Sequence, residues 1–194
     1  MRCFVAVNVA EPVRDLLVRV QDSLRRADAP VRWVERENLH LTLKFLGDLD
    51  DDHVASLRRL LADEAARWRP MTLLYGGIGA FPERGAPRVI WAGAVGDIDR
   101  MAGLAAALDR HGESLGVPRE RHPFVAHLTI GRVKSDRNLK RLQAALEDQR
   151  EVSLGRDDVT AFDLVQSTLR PEGPLYSPVE TFLLGGVGGR VAEP

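Results

Sequence analysis

The chain has 194 residues, of which 44% are hydrophobic and 28% charged, so it is long enough to bury a substantial core. Lys and Arg number 27 against 28 Asp and Glu, which gives a formal net charge of −1. This balance excludes the strong basic field that binds duplex nucleic acid regardless of sequence, so a nucleic-acid partner would be recognised locally, at a pocket or an end.

The cysteine count and the hydropathy pattern favour a cytoplasmic protein. Cys3 is the single cysteine, so the chain has no internal disulfide and no multi-thiolate metal site, as suits a reducing compartment. The apolar run at the N-terminus is too short for a signal peptide, and no later run has the length of a membrane span. We therefore expect no membrane partner.

The first half of the chain alternates predicted strands and helices. A buried strand over 3–9 precedes a helix that begins at Pro12 and carries an apolar stripe to Leu24. Extended segments follow in "VRWV" and "NLHLTLKFLG", and then a helix that opens with "GDLDDDHV" and ends before Pro70. Two strands, "MTLLYGGIGAF" and "PRVIWAGAV", flank the loop "PERGAP".

The second half repeats this order. A helix over about 97–115 precedes the strand "FVAHLTIGRV", and a further helix over 138–149 leads to a β-rich end that includes "DVTAFDLVQSTL" and "VETFLLGG". We predict a duplicated α+β architecture, a single two-lobed domain over 1–194 with a flexible end at 185–194.

The two halves carry the same tetrapeptide frame, a histidine followed by leucine, threonine and an aliphatic residue. Side chains alternate across a strand, so His40 shares a face with Thr42, and His127 shares a face with Thr129. Histidine and threonine then lie about 7 Å apart along each strand, a spacing suited to one phosphate-sized group.

The text around these motifs resembles the LigT, or 2′-5′ RNA ligase-like, branch of the 2H phosphoesterases, which are defined by two His-x-Thr/Ser-x motifs. The resemblance covers nearly the whole chain: "RCFVAVNV", "WVERENLHLTLKFLGDL", "FPERGAPRVIWAGAV", "HLTIGRVK" and "STLRPEGPLYSPVETFLL". It implies a bilobal, pseudo-symmetric fold of two antiparallel sheets that face a central groove, with helices outside. It also implies hydrolysis of RNA 2′,3′-cyclic phosphate to a 2′-phosphate, with reversible 2′-5′ ligation in some members.

The same resemblance assigns roles to residues. It implies His40 as proton donor to the 3′-oxygen and His127 as proton acceptor from water, with Thr42, Thr129 and Arg132 on the phosphate. The chemistry fits these residues independently, because opening a cyclic phosphodiester needs a base on one side of phosphorus and an acid on the other. Two imidazoles hold both roles near neutral pH, but the residues alone do not fix which is which.

Further groove residues are predicted by parity or by position. Simple alternation sends Arg132 to the wrong face, so its role requires a bulge at Gly131 or a strand end there. Lys44 has the parity of His40, whereas Phe45 has the opposite parity and is assigned to packing. Additional candidates for substrate contact, by charge or by stacking on a base, are Arg84, Arg88, Tyr176, Phe81 and Trp33.

Motifs for cofactors are missing from the sequence. It contains no Walker A motif, which argues against an ATP-dependent ligase, and no His-Glu-x-x-His or paired-cysteine zinc motif. We expect no metal, no cofactor, no protein partner and a monomer. Two alternatives stay open: a cyclic phosphodiesterase of small nucleotides such as ADP-ribose cyclic phosphate, and a nucleotide-binding module without turnover.

Overall fold

A computed structural model describes residues 1–171 and 173–185, together with the backbone of 190–191. Most of the end predicted to be flexible, 185–194, therefore lies outside the described residues. Within the described part of the chain, no helix is both long enough and apolar enough to cross a lipid bilayer.

The described residues form ten strands, four α-helices and a 3₁₀ helix at Arg36–Asn38. In chain order the other elements are β1 (Arg2–Asn8), α1 (Glu11–Arg25), β2 (Val31–Trp33), β3 (His40–Asp48), α2 (Asp51–Arg67), β4 (Met71–Phe81), β5 (Val89–Gly96), α3 (Ile98–Ser114), β6 (His127–Val133), α4 (Leu139–Asp148), β7 (Ser153–Val159), β8 (Ala161–Arg170), β9 (Gly173–Leu183) and β10 (Arg190–Val191).

All strand pairs are antiparallel, and the strands follow the order β10-β9-β8-β1-β3-β6-β5-β4-β7, with β2 on β6. We call β1, β3, β8, β9 and β10 the first lobe, and β2, β4, β5, β6 and β7 the second lobe. The predicted two sheets are thus the halves of one curled sheet. Within the part of the chain that the structure describes, the two halves of the sheet pair only where β3 meets β6, through Leu41 and Leu128.

The helices cover the outer face of the sheet and cross between the lobes. The helix α1 follows β1 of the first lobe but packs against β6 and β7 of the second, beside α4. Conversely, α3 follows β5 of the second lobe and packs mainly against β3 of the first, beside α2. Their apolar faces, such as Val13, Leu17, Val20 and Leu24 of α1, form one hydrophobic cluster with the inner strand residues.

A β-bulge interrupts each histidine strand at the same distance from its histidine. In β3, Val5 pairs with Lys44 and Ala6 with Thr42, so Leu43 is an extra residue. The strand β6 has the same irregularity. Ile90 pairs with Gly131 and Trp91 with Thr129, so Ile130 is an extra residue. A bulge exchanges the faces of the side chains that follow it, so each strand changes its parity three to four residues after the histidine. In β3, a second register shift at Leu46 follows.

Candidate active site

The two predicted motifs meet at the junction of the lobes. Leu41 and Leu128 pair there with no exposed surface, and the antiparallel register places His40 level with Thr129 and His127 level with Thr42. The four polar side chains lie on the face opposite the two leucines and are half-buried. Residues diagonal across such a pair are usually about 7–8 Å apart. The lobes therefore bring both histidines to one small region.

Both imidazoles are oriented by the backbone in the same way. His40 Nδ1 lies 2.7 Å from Asn38 O, and His127 Nδ1 lies 2.7 Å from Val125 O. A carbonyl oxygen only accepts, so Nδ1 carries hydrogen in each ring and Nε2 is left for chemistry. His40 Nε2 also lies 3.0 Å from Thr42 Oγ1, which links the two polar members of the first motif.

The surroundings of the two rings differ. His40 contacts Phe4 at 4.8 Å and Tyr176 at 5.3 Å between ring centroids, whereas His127 meets the edge of Phe81 at 5.6 Å. Burial lowers the pKa of His40, the hydrogen bond to Asn38 O opposes this, and the nearby Arg14 charge adds to it. The free protein therefore favours a neutral His40 ring near pH 7.

The bulge in β6 turns Arg132 to the histidine face. Its side chain is exposed, and the buried residues on either side of it, Gly131 and Val133, lie on the core face. Burial raises the pKa of the Tyr176 phenol, and the charges of Arg132, Arg2 and Arg32 oppose that rise. Three guanidinium groups are thus close enough to the phenol to act on it electrostatically.

The prediction for Lys44 is wrong, and the β3 bulge is the reason. Lys44 is only 2% exposed, and its Nζ lies 2.8 Å from Asp109 Oδ1 and 2.8 Å from Pro118 O, on the side of α3. The next residue, Phe45, turns outward with 59% of its surface exposed and contacts Phe4 at 6.0 Å. Phe45, assigned to packing from simple parity, therefore occupies the face predicted for Lys44.

The other candidates divide between the histidine region and the remaining surface. Tyr176 contacts the His40 ring and Phe81 contacts the His127 ring, as given above. In contrast, Arg84 is an exposed residue of the loop before β5, Arg88 pairs with Asp136 at 3.0 Å, and Trp33 packs over Gly131 and under the Arg25 guanidinium. No contact of the last three with either histidine is seen in the described residues.

Sequence reasoning missed the cavity beside His40. It encloses about 290 Å³ and is lined by Phe4, Ala6, Asn8, Glu11, Arg14, Arg36, Glu37, Leu39, His40, Asp163, Val165, Tyr176 and Pro178. Strand parity on β1 indicates Asn8, which shares a face with Phe4 and Ala6. Asp163 has no local signal, because it reaches the cavity through the long-range pairing of β8 with β1.

Trp91 was missed as well. Its indole lies against Gly79, where a Cβ would come within 2.3 Å of the ring, and its centroid is 5.3 Å from that of Phe81. Phe81 and Trp91 thus form an aromatic surface beside His127. Among the residues the structure describes, no group of three or more His, Cys, Asp or Glu side chains is arranged to hold a metal ion.

Comparisons with known proteins identify the family of this chain. The family model described as "LigT like Phosphoesterase" matches residues 7–91 and 95–176. A protein of Methanothermobacter thermautotrophicus named RNA 2′,3′-cyclic phosphodiesterase is 37% identical over 95% of this chain and 99% of its own. A protein of Thermus thermophilus with the same name is 36% identical over 98% of this chain and 93% of its own.

Solved structures support the fold. The crystal structure of a Thermus thermophilus protein matches with a TM-score of 0.81 and 32% identity, over 96% of this chain and 99% of the other. Apo LigT of Escherichia coli matches with a TM-score of 0.73 over 94% and 96% of the two chains, at 24% identity. The predicted fold class, a bilobal α+β LigT-like fold with helices outside, is confirmed, and the two predicted antiparallel sheets are the halves of one sheet.

Proposed function

We propose that this chain is an RNA 2′,3′-cyclic phosphodiesterase that hydrolyses the cyclic ester to a 2′-phosphate. The chain belongs to the LigT-like phosphoesterase family, and its relatives carry that name. The observation that carries the proposal is the meeting of His40 and His127, one from each lobe, on either side of the Leu41 and Leu128 pair. An acid and a base at one phosphorus atom are what ring opening requires.

The proposed reaction is an in-line displacement at phosphorus. His127 Nε2 accepts a proton from water while the water oxygen bonds to phosphorus. The bond from phosphorus to the 3′-oxygen breaks, and His40 gives its proton to that oxygen. The products are a 2′-phosphate and a free 3′-hydroxyl, and exchange with solvent restores both protonation states. We assign the acid role to His40 because the family resemblance implies it.

Supporting groups stabilise the charge on the phosphoryl oxygens. Thr42 and Thr129 lie level with the two histidines and supply hydroxyl donors, and the exposed Arg132 supplies a cation on the same face. A bound anion also favours the protonated imidazole, so substrate binding counteracts the lowered pKa of His40. This explains how a ring that is neutral in the free protein serves as an acid in the complex.

Ligation is the second reaction that the site supports. An RNA hydroxyl that replaces water beside His127 turns the same steps into end joining, and the reverse reaction exchanges the two histidine roles. Joining needs no nucleotide cofactor because the cyclic ester supplies the driving force. Water prevails unless the second RNA end is held in position.

Two alternatives are separated by substrate and by turnover. A phosphodiesterase of small nucleotides would hydrolyse ADP-ribose cyclic phosphate faster than an RNA end, so kcat/KM for both decides between them. A binding module needs neither acid nor base, yet both Nε2 atoms are left available by the backbone contacts of Nδ1. We further propose a cytoplasmic location, since Cys3 is unpaired, as suits a reducing compartment. We also propose a monomer, which size-exclusion chromatography tests.

The decisive experiment uses an oligonucleotide that ends in a 2′,3′-cyclic phosphate. We expect the protein to convert it to a 2′-phosphate in the presence of EDTA. His40→Ala and His127→Ala each lower kcat by about 10²–10⁴-fold, the usual worth of general acid or base catalysis. His122→Ala, an exposed histidine in the loop before β6, is the matched control and keeps full activity. A 3′-phosphate product, or a requirement for metal, contradicts the proposal.

A further inference from the structure

The cavity beside His40 is placed to receive a specific part of the substrate. Its floor is the groove face of the first lobe, where Asn8 pairs with His40 and Ala6 pairs with Asp163. Phe4 and Tyr176 form an aromatic wall against the His40 ring. A volume of about 290 Å³ lies at the small end of ligand pockets, so one nucleoside fits and an oligonucleotide does not.

The charges in the cavity argue against a phosphate group as its occupant. Three carboxylates (Glu11, Glu37, Asp163) and two guanidinium groups (Arg14, Arg36) line it. Both cations are already engaged, because Arg14 donates to Val9 O, Arg36 O and Asn8 Oδ1, and Arg36 binds Glu11 and Asp15. An uncharged group that donates hydrogen bonds is therefore favoured over an anion.

The polar groups left available define the pattern that this occupant must present. Thr181 Oγ1 donates to Asp163 Oδ1 at 2.6 Å, and Asp163 Oδ2 has no hydrogen-bond donor among the described residues. Burial raises the pKa of Asp163, so its carboxylate is poorly hydrated and gains from new donors. Asn8 Oδ1 is engaged by Arg14, which leaves the Asn8 amide NH₂ as a donor.

The proposed reaction places the terminal nucleoside on this side of the phosphate. In the cyclic ester, the ribose is bonded to phosphorus through both its 2′- and its 3′-oxygen. In an in-line displacement, water lies opposite the leaving 3′-oxygen. If His40 protonates it, then the nucleoside extends from phosphorus toward His40 and its cavity. This step rests on the proposed function and on the acid role of His40.

We infer that the cavity is a guanine pocket, in which Asp163 binds the base of the nucleotide that carries the cyclic phosphate. Guanine is the RNA base with two adjacent N–H donors, at N1 and N2, on its Watson–Crick edge, and a carboxylate accepts both. The neighbouring O6 acceptor complements the Asn8 amide. The half-buried Tyr176 ring, backed by Phe4, offers aromatic surface for stacking, which adds affinity without selecting a base.

The base preference is tested with short RNAs that differ only in the terminal nucleoside. We expect kcat/KM for a terminal guanosine 2′,3′-cyclic phosphate to exceed that for adenosine, cytidine or uridine by about tenfold or more, the usual discrimination of a bidentate contact. Inosine, which lacks the 2-amino group, falls between guanosine and adenosine. Equal rates for guanosine and inosine overturn the role of Asp163, whereas no hydrolysis of any terminus overturns the proposed function itself.

The same replacement of a carboxylate by an amide, made at Asp163 and at Asp158, gives a test variant and its control. In Asp163→Asn, the carboxamide accepts from only one of the two guanine donors and opposes the other with its own NH₂, so the ratio of kcat/KM for guanosine to that for adenosine falls toward one. Asp158→Asn on the exposed surface of β7 keeps the original ratio. An unchanged ratio in Asp163→Asn contradicts the inference. The inosine comparison uses only the unaltered protein, so it decides the question even if the variant fails to fold.

Discussion

His40 and His127 have the same backbone anchor but different neighbours, and the difference is measurable. Desolvation by burial is the main reason that the pKa of His40 lies below the ordinary value of 6.5, and Phe4 and Tyr176 are the rings packed against it. A histidine whose folded-state pKa is lowered resists protonation in the folded state. As pH falls through 6.5, the unfolded chain gains a proton first, and this group removes stability.

We predict that the ring resonances of His40 titrate with a midpoint below pH 6.5 in the free protein. Two-dimensional NMR with His40→Asn for assignment measures the midpoint. Tyr176→Ala opens the ring to water and moves the midpoint upward, toward 6.5. A midpoint at or above 6.5 in the unaltered protein contradicts the burial argument.

A substrate with sulfur in place of the leaving 3′-oxygen distinguishes the general acid from the general base. A thiolate leaves without a proton because thiols are far more acidic than alcohols. On a cyclic substrate with 3′-sulfur, we expect His40→Ala to recover to within about tenfold of the unaltered protein, since the deleted group supplies only the leaving proton. His127→Ala stays slow on both substrates. Recovery of His127→Ala instead would exchange the assigned roles.

The bulges are the elements that local sequence reasoning handles worst. Alternation placed His40, Thr42, His127 and Thr129 on one face of their strands, because these residues precede the irregularity. Beyond it, alternation failed for Lys44 and Phe45. The exposed side chain of Arg132 requires a bulge, which lies at Ile130 instead of the suggested Gly131. No local signal in "TLKF" marks the extra residue, because a bulge depends on the register with the neighbouring strand.

The β3 bulge also fixes a buried ion pair between a strand and a helix. Burial alone would raise the pKa of Asp109, but hydrogen bonds from Lys44 and the Glu120 amide, with the Arg119 charge, hold it below its usual value. Asp109 therefore contributes stability above its unfolded pKa, which is lost as pH falls through the lower folded value. Lys44 thereby ties β3 to α3 and to the loop that leads into β6.

We predict that Lys44→Ala lowers the free energy of unfolding by about 3–5 kcal/mol, because it leaves the Asp109 carboxylate without its main partner. Urea denaturation followed by circular dichroism measures the change. The control Lys140→Ala, an exposed lysine on α4, changes stability by less than about 0.5 kcal/mol. Equal effects of the two substitutions would show that the buried pair contributes nothing.

At the scale of the whole molecule, the helices bind the lobes together. The chain order predicted which elements exist, because each amphipathic helix has its own apolar period. It did not predict that α1 and α3 cover the lobe opposite to the strand they follow, nor that β9 begins at Gly173 instead of near Val179. Those features depend on contacts between distant segments, for which local pattern carries no information.

This exchange of helices predicts that the lobes unfold together, as a single domain over 1–194 would. Trp68 packs on Gly103 beside the first lobe, and Trp33 and Trp91 belong to the second. Variants that keep only Trp68 or only Trp91 should therefore give coincident denaturation midpoints by fluorescence, equal to the midpoint by circular dichroism. Separate midpoints would mean that each lobe is an independent folding unit.

The twin bulges give the groove a direction. Phe45 and Arg132 stand at matching places after His40 and His127, one an aromatic ring and the other a cation. A site with perfect twofold symmetry would hold a strand equally well when it ran either way. If Arg132 holds a phosphate as proposed, a strand that runs the other way would place that phosphate against Phe45 instead, so the proposed substrate would bind with a single polarity.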